Sequence, residues 1–166
     1  MSFDPEKPDS KGIIVHPGSG GSANNLSLKQ YARLIEQFSQ NLPQIKIIIS
    51  AGPDEKQIAQ KLKDMVQATV GVFVSNQGLV EYGKFLSRGY LFIGGSTGPL
   101  HLAGAINIRT AGFYPNRPSA TARRWQTLND KSKQLGFSPP GSSDNMSEID
   151  MSEVFRVIRK TFFSAA

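Results

Sequence analysis

The segment at residues 94–105 (GGSTGPLHLAGA) carries residue types that can hold a phosphate group. It follows an apolar run that predicts a buried strand, and Pro99 suits the first turn of a helix. Free N–H groups of that turn attract anions, and Ser96 and Thr97 add hydroxyl donors. The alternative is an ordinary Ser/Thr helix cap with a packed His101. The surrounding glycines and alanines favour the phosphate turn, because they let the helix pack close to the sheet.

Two other loops follow predicted strands, at residues 16–23 (HPGSGGSA) and 52–55 (GPDE). Small residues in the first loop let backbone N–H groups approach an anion, and the alternative is a flexible glycine turn. A dinucleotide-binding fingerprint is not predicted, because this loop has about ten residues and the fingerprint needs a tight turn. In the second loop Asp54 is expected to cap a helix. Glu55 either accepts hydrogen bonds from a ribose or lies solvated in the first helical turn.

The composition excludes several classes of catalyst. The chain has 166 residues with no cysteine and two histidines, which excludes disulfides, thiolate zinc sites and cysteine nucleophiles. The sequence shows no Ser-His-Asp order, paired carboxylates or metal-ligand cluster. The net charge of +6 suits anion binding, but the basic residues lack the interleaved aromatics of a nucleic-acid surface. We therefore predict a binding domain with no metal, no acid–base catalyst of its own and no nucleic-acid partner.

Strand and helix patterns alternate along the chain. A capping box at Ser27 and Gln30 opens the first helix, Asn76 is expected to cap the third, and Gly89 to end it. Near-continuous apolar strands separated by helices predict a parallel sheet covered on both faces, which is a Rossmann-like three-layer α/β/α fold. The predicted strands are at residues 13–16, 45–49, 70–74, 90–93 and 108–114.

The remaining segments are predicted as follows. Residues 1–11 are expected to be disordered or a linker, and residues 12–166 a single domain. Residues 115–148 are rich in Pro, Ser, Asn and Lys and are interpreted as a long surface connection. A final helix is expected at about 150–163. No apolar run approaches the roughly 20 residues of a membrane span, and the N-terminus lacks the apolar region of a signal peptide.

Four segments resemble, in order, the C-terminal domain of bacterial ADP-heptose:lipopolysaccharide heptosyltransferases, a glycosyltransferase family with the GT-B fold. They are residues 13–20 (IIVHPGSG), 47–55 (IIISAGPDE), 79–105 (LVEYGKFLSRGYLFIGGSTGPLHLAGA) and 113–115 (FYP). The STGPLHLAGA stretch is the specific part of the match. The resemblance implies that the chain is one GT-B half, which binds the donor nucleotide sugar.

The resemblance also implies roles for single residues. The donor diphosphate would be held largely by the backbone of Thr97, Gly98 and Leu100, with His101 nearby. Glu55 would meet the ribose. The remaining positions are Gln77, whose backbone would meet adenine, and Ser19 and Gly20, which would line the phosphates.

Two positions depart from the family pattern. Asn24 stands where the family has a lysine on the phosphates, and the candidate replacements for that cation are Arg117, Arg123 and Arg124. Ser96 stands where the family has an aspartate that contacts the donor sugar. The donor sugar therefore stays open, with ADP-heptose as the default.

The function that the resemblance implies is an inverting, metal-independent sugar transfer from a nucleotide sugar to a lipopolysaccharide-type acceptor. The catalytic base would belong to an N-terminal acceptor-binding half, so we expect this chain alone to be inactive. No cofactor beyond the donor is expected, and the expected location is the cytoplasm or the periphery of the inner membrane. The alternatives are a non-catalytic nucleotide- or anion-binding module, an inactivated relative, or a nucleotide-sugar epimerase of the same fold.

Overall fold

Six strands and five α-helices are present in the part of the chain that the computed structural model describes, residues 12–19, 24–117 and 126–164. The linker predicted at residues 1–11 lies outside this part. The strands are β1 (Gly12–His16), β2 (Lys46–Ala51), β3 (Gly71–Val74), β4 (Leu91–Gly95), β5 (Arg109–Phe113) and β6 (Gln134–Phe137). The helices are α1 (Leu28–Asn41), α2 (Lys56–Met65), α3 (Gly78–Ser87), α4 (Gly98–Ala105) and α5 (Met151–Phe162). None of these helices is long and apolar enough to cross a membrane.

The six strands form one parallel sheet in the order β3-β2-β1-β4-β5-β6. In the middle of the sheet Ile14 of β1 is in register with Ile48 of β2 on one side and Phe92 of β4 on the other. The chain therefore builds the sheet outward from β1, first in one direction and then in the other. Such a reversal opens a crevice at the carboxyl ends of the two central strands.

The helices cover both faces of the sheet. Ile13 and Val15 point to a core that contains residues of α1, α2 and α5, whereas Ile14 points to a second core with residues of α3 and α4. This alternation along one strand follows from the period of two in a β-strand. The predicted three-layer α/β/α fold is confirmed.

The capping predictions had mixed outcomes. The Ser27 capping box is confirmed, and the N–H of Gly89 bonds to the last turn of α3 as expected of the residue that ends a helix. The predictions for Asp54 and Asn76 were wrong, because α2 and α3 each begin one residue later than those caps require. Their N-cap residues are Glu55 and Gln77, and neither side chain makes a capping hydrogen bond.

The long surface connection predicted for residues 115–148 was also wrong in part, because it contains β6 and two short 3₁₀ helices, Lys131–Lys133 and Met146–Glu148. β6 adds to the sheet beside β5, with Phe113 in register with Phe137. Only Leu135 and Phe137 of this short edge strand pack against the core. Two apolar residues in four give no continuous apolar run, so the pattern was not recognised as a strand.

A buried asparagine attaches the β6 segment to the sheet. Asn129 is 5% exposed, and its amide nitrogen lies 2.7 Å from the carbonyl oxygen of Ile108 and 3.1 Å from that of Lys133. The same nitrogen contacts the Thr110 hydroxyl at 3.1 Å, and the amide oxygen accepts from the Thr127 hydroxyl at 2.6 Å. Asn129 thus joins the residues that precede β5 to those that precede β6.

Replacing this asparagine tests whether the attachment stabilises the fold. We expect Asn129→Ala to lower the free energy of unfolding by about 2–4 kcal/mol, because several buried polar groups lose their partner together. Urea denaturation measures the change. Asn41→Ala is the matched control, since Asn41 is exposed and makes one bond, to Gln37 of the same helix. An equal loss in the two variants would contradict the assignment.

Candidate functional site

A cavity of about 520 Å³ lies at the carboxyl edge of the sheet, beside the crevice between β1 and β4. The loops after β1, β2, β3 and β4 all contribute to its walls. This is the place where open α/β sheets bind their ligands. The predicted site residues that line it are Ser19, Glu55, Thr97 and Gly98.

The N-terminus of α4 forms one wall of the cavity. Thr97 is the N-cap, Gly98 is the first helical residue, and Pro99 follows in the first turn, as predicted. The N–H groups of a first turn have no acceptor within the helix, and Pro99 has no N–H to leave unsatisfied. The Leu100 side chain is fully buried, so that residue can face a ligand only through its backbone. The wall therefore offers backbone N–H groups and the positive end of a helix dipole.

The turn between β4 and α4 depends on two glycines. A Cβ on Gly94 would lie 3.1 Å from the carbonyl oxygen of His16, and one on Gly95 would lie 2.7 Å from the Asn25 side-chain oxygen. Real Cβ atoms are rarely found so close to such atoms. The glycines thus bring the start of α4 against the loop after β1.

Asn25 fastens that loop from the other side. Its amide nitrogen donates to the Pro17 carbonyl at 3.1 Å, and its amide oxygen accepts from the Tyr31 hydroxyl at 2.8 Å. Burial raises the pKa of Tyr31, so the phenol keeps the hydrogen that it donates. Asn25 directly follows Asn24 and holds the loop after β1 to α1, with its side chain close to Gly95.

Several predicted site residues lie elsewhere. Gln77 borders a separate cavity of about 260 Å³ between β3 and α3. Ser96 is half-buried, and its N–H donates to the Phe113 carbonyl at 3.1 Å. His101 is half-buried in the first turns of α4 and does not line the larger cavity. The predictions for Gly20, Arg123 and Arg124 fall outside the described residues.

Asn24 and Arg117 come together on an acidic residue. The Asn24 amide donates to a carboxylate oxygen of Asp144 at 3.3 Å, and the guanidinium of Arg117 forms a salt bridge with the same oxygen. Neither Asn24 nor Arg117 lines the 520 Å³ cavity. Among the described lining residues there is no lysine or arginine. The structure therefore places Arg117 near Asn24, the position of the family's lysine, but outside the residues that line the cavity.

A buried polar cluster forms the floor of the cavity. His16 is 2% exposed, and its Nδ1 lies 3.0 Å from the Ser50 hydroxyl and 3.3 Å from the Tyr82 hydroxyl. Its Nε2 lies 3.3 Å from Oε2 of Glu55. The two hydroxyls are 3.1 Å apart. We name His16, Ser50, Tyr82 and Glu55 the histidine cluster.

The position of Glu55 rules out one of the two interpretations offered for it. Its side chain is 16% exposed, and Oε2 also accepts from the N–H of Gly52 at 2.9 Å. The carboxylate therefore turns back over the end of β2 and faces the cavity. The solvated first-turn glutamate was the wrong alternative, because this side chain is largely buried and hydrogen-bonded.

Most of the residues that line the cavity were not predicted as site residues from the sequence. The missed signals were a histidine that ends β1 directly before a glycine loop and a serine, Ser50, within the apolar strand β2. Burial raises the pKa of Tyr82 to about 12, with the Glu55 charge adding to the rise, so this phenol is neutral at physiological pH. The additional lining residues are His16, Gly52, Pro53, Ser75, Asn76, Gly78, Leu79, Tyr82 and Pro99. The described residues contain no group of three or more metal-ligating side chains.

Known proteins of related sequence point to a transferase. The sequence profile of glycosyltransferase family 9 (heptosyltransferase) matches residues 3–151. A Haemophilus influenzae protein, whose name assigns it provisionally to the glycosyltransferases, is 44% identical over 142 residues. That alignment covers 85% of this chain and 41% of the relative.

Solved structures share the fold. A family 9 glycosyl transferase of Veillonella parvula DSM 2008 superposes with a TM-score of 0.78 at 13% identity, over 96% of this chain and 48% of that one. The E. coli heptosyltransferase WaaC with ADP gives a TM-score of 0.73 at 17% identity, over 92% of this chain and 44% of that one. The E. coli ADP-heptose lps heptosyltransferase II gives a TM-score of 0.73 at 17% identity, over 93% of this chain and 47% of that one.

The chain spans less than half the length of each of these relatives. Within that span the parallel sheet agrees with the Rossmann-like half of a GT-B glycosyltransferase. The family 9 profile covers most of the sequence, from residue 3 to residue 151. The chain therefore belongs to glycosyltransferase family 9.

Proposed function

We propose that this chain is the donor-binding half of a glycosyltransferase that moves a sugar from a nucleoside diphosphate to a lipopolysaccharide-type acceptor. The default donor is ADP-heptose, and the transfer would invert the anomeric centre without a metal or other cofactor. One observation carries the proposal. A single cavity presents the N-terminus of α4 on one side and the Glu55 carboxylate on the other, which suits a diphosphate next to a ribose.

The diphosphate would lie at the N-terminus of α4. Gly98 lines the cavity there, and the resemblance adds the backbone of Leu100 from the same first turn. Ser19 and Thr97, which also line the cavity, would add hydroxyl groups. As the bond between the sugar and the diphosphate breaks, negative charge develops on the leaving oxygen. Fixed N–H dipoles stabilise such charge without reorganising, so they can assist departure where a metal is not used.

The nucleotide base would lie on the outer side of the cavity. Pro53, Asn76 and Leu79 line this side, and Leu79 is 70% exposed in spite of its apolar side chain. A purine face would cover apolar surface there, while the Asn76 amide could bond to the edge of the base. The backbone of Gln77, which the resemblance assigns to adenine, is part of the same loop after β3.

The acceptor would need a base from another part of the enzyme. Glu55 is the one carboxylate among the described lining residues, and it is held by His16 and Gly52. A glutamate that receives ribose hydroxyls cannot also deprotonate an acceptor hydroxyl. We therefore assign the base to an N-terminal half, together with the acceptor site.

The second candidate function is a non-catalytic nucleotide-binding module. The observation that favours it is the lack of a lysine or arginine among the described residues that line the cavity. The sequence upstream of this domain in its gene separates the two functions. A second Rossmann-like half with a carboxylate that faces this cavity supports the transferase, whereas its absence supports the binding module.

Titration calorimetry tests the donor site directly. We expect the folded chain to bind ADP, and Gly98→Glu to weaken that binding more than tenfold, because a carboxylate would stand where the diphosphate binds. A Cβ at Gly98 meets no atom within 4 Å, and an acidic residue suits a helix N-terminus, so this variant should fold.

The matched control is Gly98→Ala, which adds a Cβ without charge and should bind ADP within about threefold of the original chain, since the backbone donors remain in place. Equal affinity of ADP for Gly98→Glu and Gly98→Ala would place the phosphates elsewhere. Absence of binding by ADP, UDP and their sugar conjugates to the folded, unaltered chain would refute the donor site.

A transfer assay tests whether the catalytic base lies outside this chain. We expect no sugar transfer from ADP-heptose to a heptose-accepting lipopolysaccharide core by this chain alone, because the described cavity supplies no base for the acceptor. Released ADP and glycosylated acceptor are the readouts, with E. coli ADP-heptose lps heptosyltransferase II as the positive control. Turnover by the isolated chain would show that it contains its own base.

A further inference from the structure

We propose that His16 is a positioning residue that orients the Glu55 carboxylate toward the ribose and makes the site selective for nucleotides with ribose hydroxyls. The inference rests on the proposed function, because its ligand is the nucleotide part of the donor. His16 would not touch the nucleotide's reacting atoms. It would act through Glu55, which faces the cavity.

The imidazole is held in place before any ligand arrives. His16 is 2% exposed at the end of β1, and its ring stacks on Phe92 with centroids 6.1 Å apart and an interplanar angle of 26°. Ser50, which is fully buried on β2, contacts Nδ1 at 3.0 Å. Contacts from two neighbouring strands therefore fix the plane of the ring and the direction of Nε2.

The hydroxyl pair favours a hydrogen on Nε2. The Tyr82 phenol is neutral, since burial raises its pKa to about 12, so it has a hydrogen to donate. Tyr82 and Ser50 contact each other at 3.1 Å and both contact Nδ1. A chain from Tyr82 to Ser50 to Nδ1 uses every donor once, which leaves the ring hydrogen on Nε2 to donate to Glu55.

The carboxylate of Glu55 is confined on its other sides. The N–H of Gly52 donates to Oε2 at 2.9 Å, and the N–H of Glu55 bonds back to the Gly52 carbonyl at 3.1 Å. A Cβ on Gly18 would lie 2.2 Å from the carboxylate, so the loop after β1 leaves just enough room for it. His16 and Gly52 thus hold Oε2, and the space at Gly18 admits the carboxylate, so the orientation of the whole group is fixed.

This arrangement has a consequence for ligand choice. A carboxylate has about four acceptor positions, so Glu55 can accept from ribose hydroxyls while His16 and Gly52 hold Oε2. An oriented, largely buried carboxylate discriminates strongly against a ligand that lacks the hydroxyl, because its acceptor positions are then left unpaired. Without the Nε2 donor the carboxylate can rotate, and the selectivity should fall with it.

The test compares ADP with 2′,3′-dideoxy-ADP by titration calorimetry. We expect the unaltered chain to bind ADP about tenfold or more tightly than the dideoxy compound, because a partly buried carboxylate is left without its partners. His16→Met, whose side chain has no hydrogen-bond donor, should weaken the binding of ADP about tenfold and leave the affinity for the dideoxy compound nearly unchanged. His16→Gln, whose amide nitrogen can take the place of Nε2, should regain most of the preference.

The outcomes separate this inference from the proposed function. If the unaltered chain binds neither compound, the proposed function fails and the inference with it. If it binds both equally, or if His16→Met weakens both compounds equally, the donor site stands and the role of His16 is refuted. Should His16→Met not melt cooperatively, His16→Asn replaces it, since its shorter amide cannot reach Glu55. A full ADP preference in His16→Asn would equally overturn the proposal.

Discussion

The close approach of β1 and β4 at their carboxyl ends is the constraint on which the site depends. Gly94 and Gly95 end β4, and a Cβ on either would crowd the His16 carbonyl or the Asn25 amide. Side chains there would force the loop after β1 away from the start of α4. The cavity needs both, because α4 brings the N–H groups and β1 brings His16, which contacts Glu55. The two glycines thus set how closely the start of α4 approaches the end of β1 and the loop that follows it.

The described lining of this cavity offers an anion the dipoles of a helix N-terminus instead of positively charged side chains. The chain carries a net charge of +6, yet the described lining has no lysine or arginine. Three of the described arginines are engaged elsewhere: Arg117 pairs with Asp144, Arg156 pairs with Glu153, and Arg109 lies over the Tyr90 ring at 4.0 Å. Helix N–H dipoles are fixed in place, so they hold an anion at a defined point. The described lysines and arginines lie outside this lining, so they would contribute a long-range attraction to an anion.

Features set by neighbours in the chain could be predicted from the sequence. The Ser27 capping box, the Pro99 helix start and the strands β1 to β5 all follow from local periodicity and capping. β6 could not be predicted, because its pairing with β5 depends on Asn129 and on contacts that a four-residue pattern does not show. The histidine cluster was missed for the same reason. Ser50 and Tyr82 lie 34 and 66 residues from His16. The register of β1 with β2 brings Ser50 beside the histidine, and the packing of α3 on the sheet brings Tyr82 there.

The arrangement of the cavity argues for a division between binding and chemistry. A buried glutamate fixed by a histidine and a backbone N–H is a good acceptor for a ribose and a poor mobile base, because its orientation and its hydrogen bonds are already determined. The Leu79 side chain, which is 70% exposed, lines the side of the cavity where we propose that the nucleotide base binds. Ser96, at the position of the family's aspartate, has no charge with which to bind a sugar hydroxyl. Under the proposed function this cavity would hold the leaving group, and sugar choice and acceptor activation would need residues from another part of the enzyme.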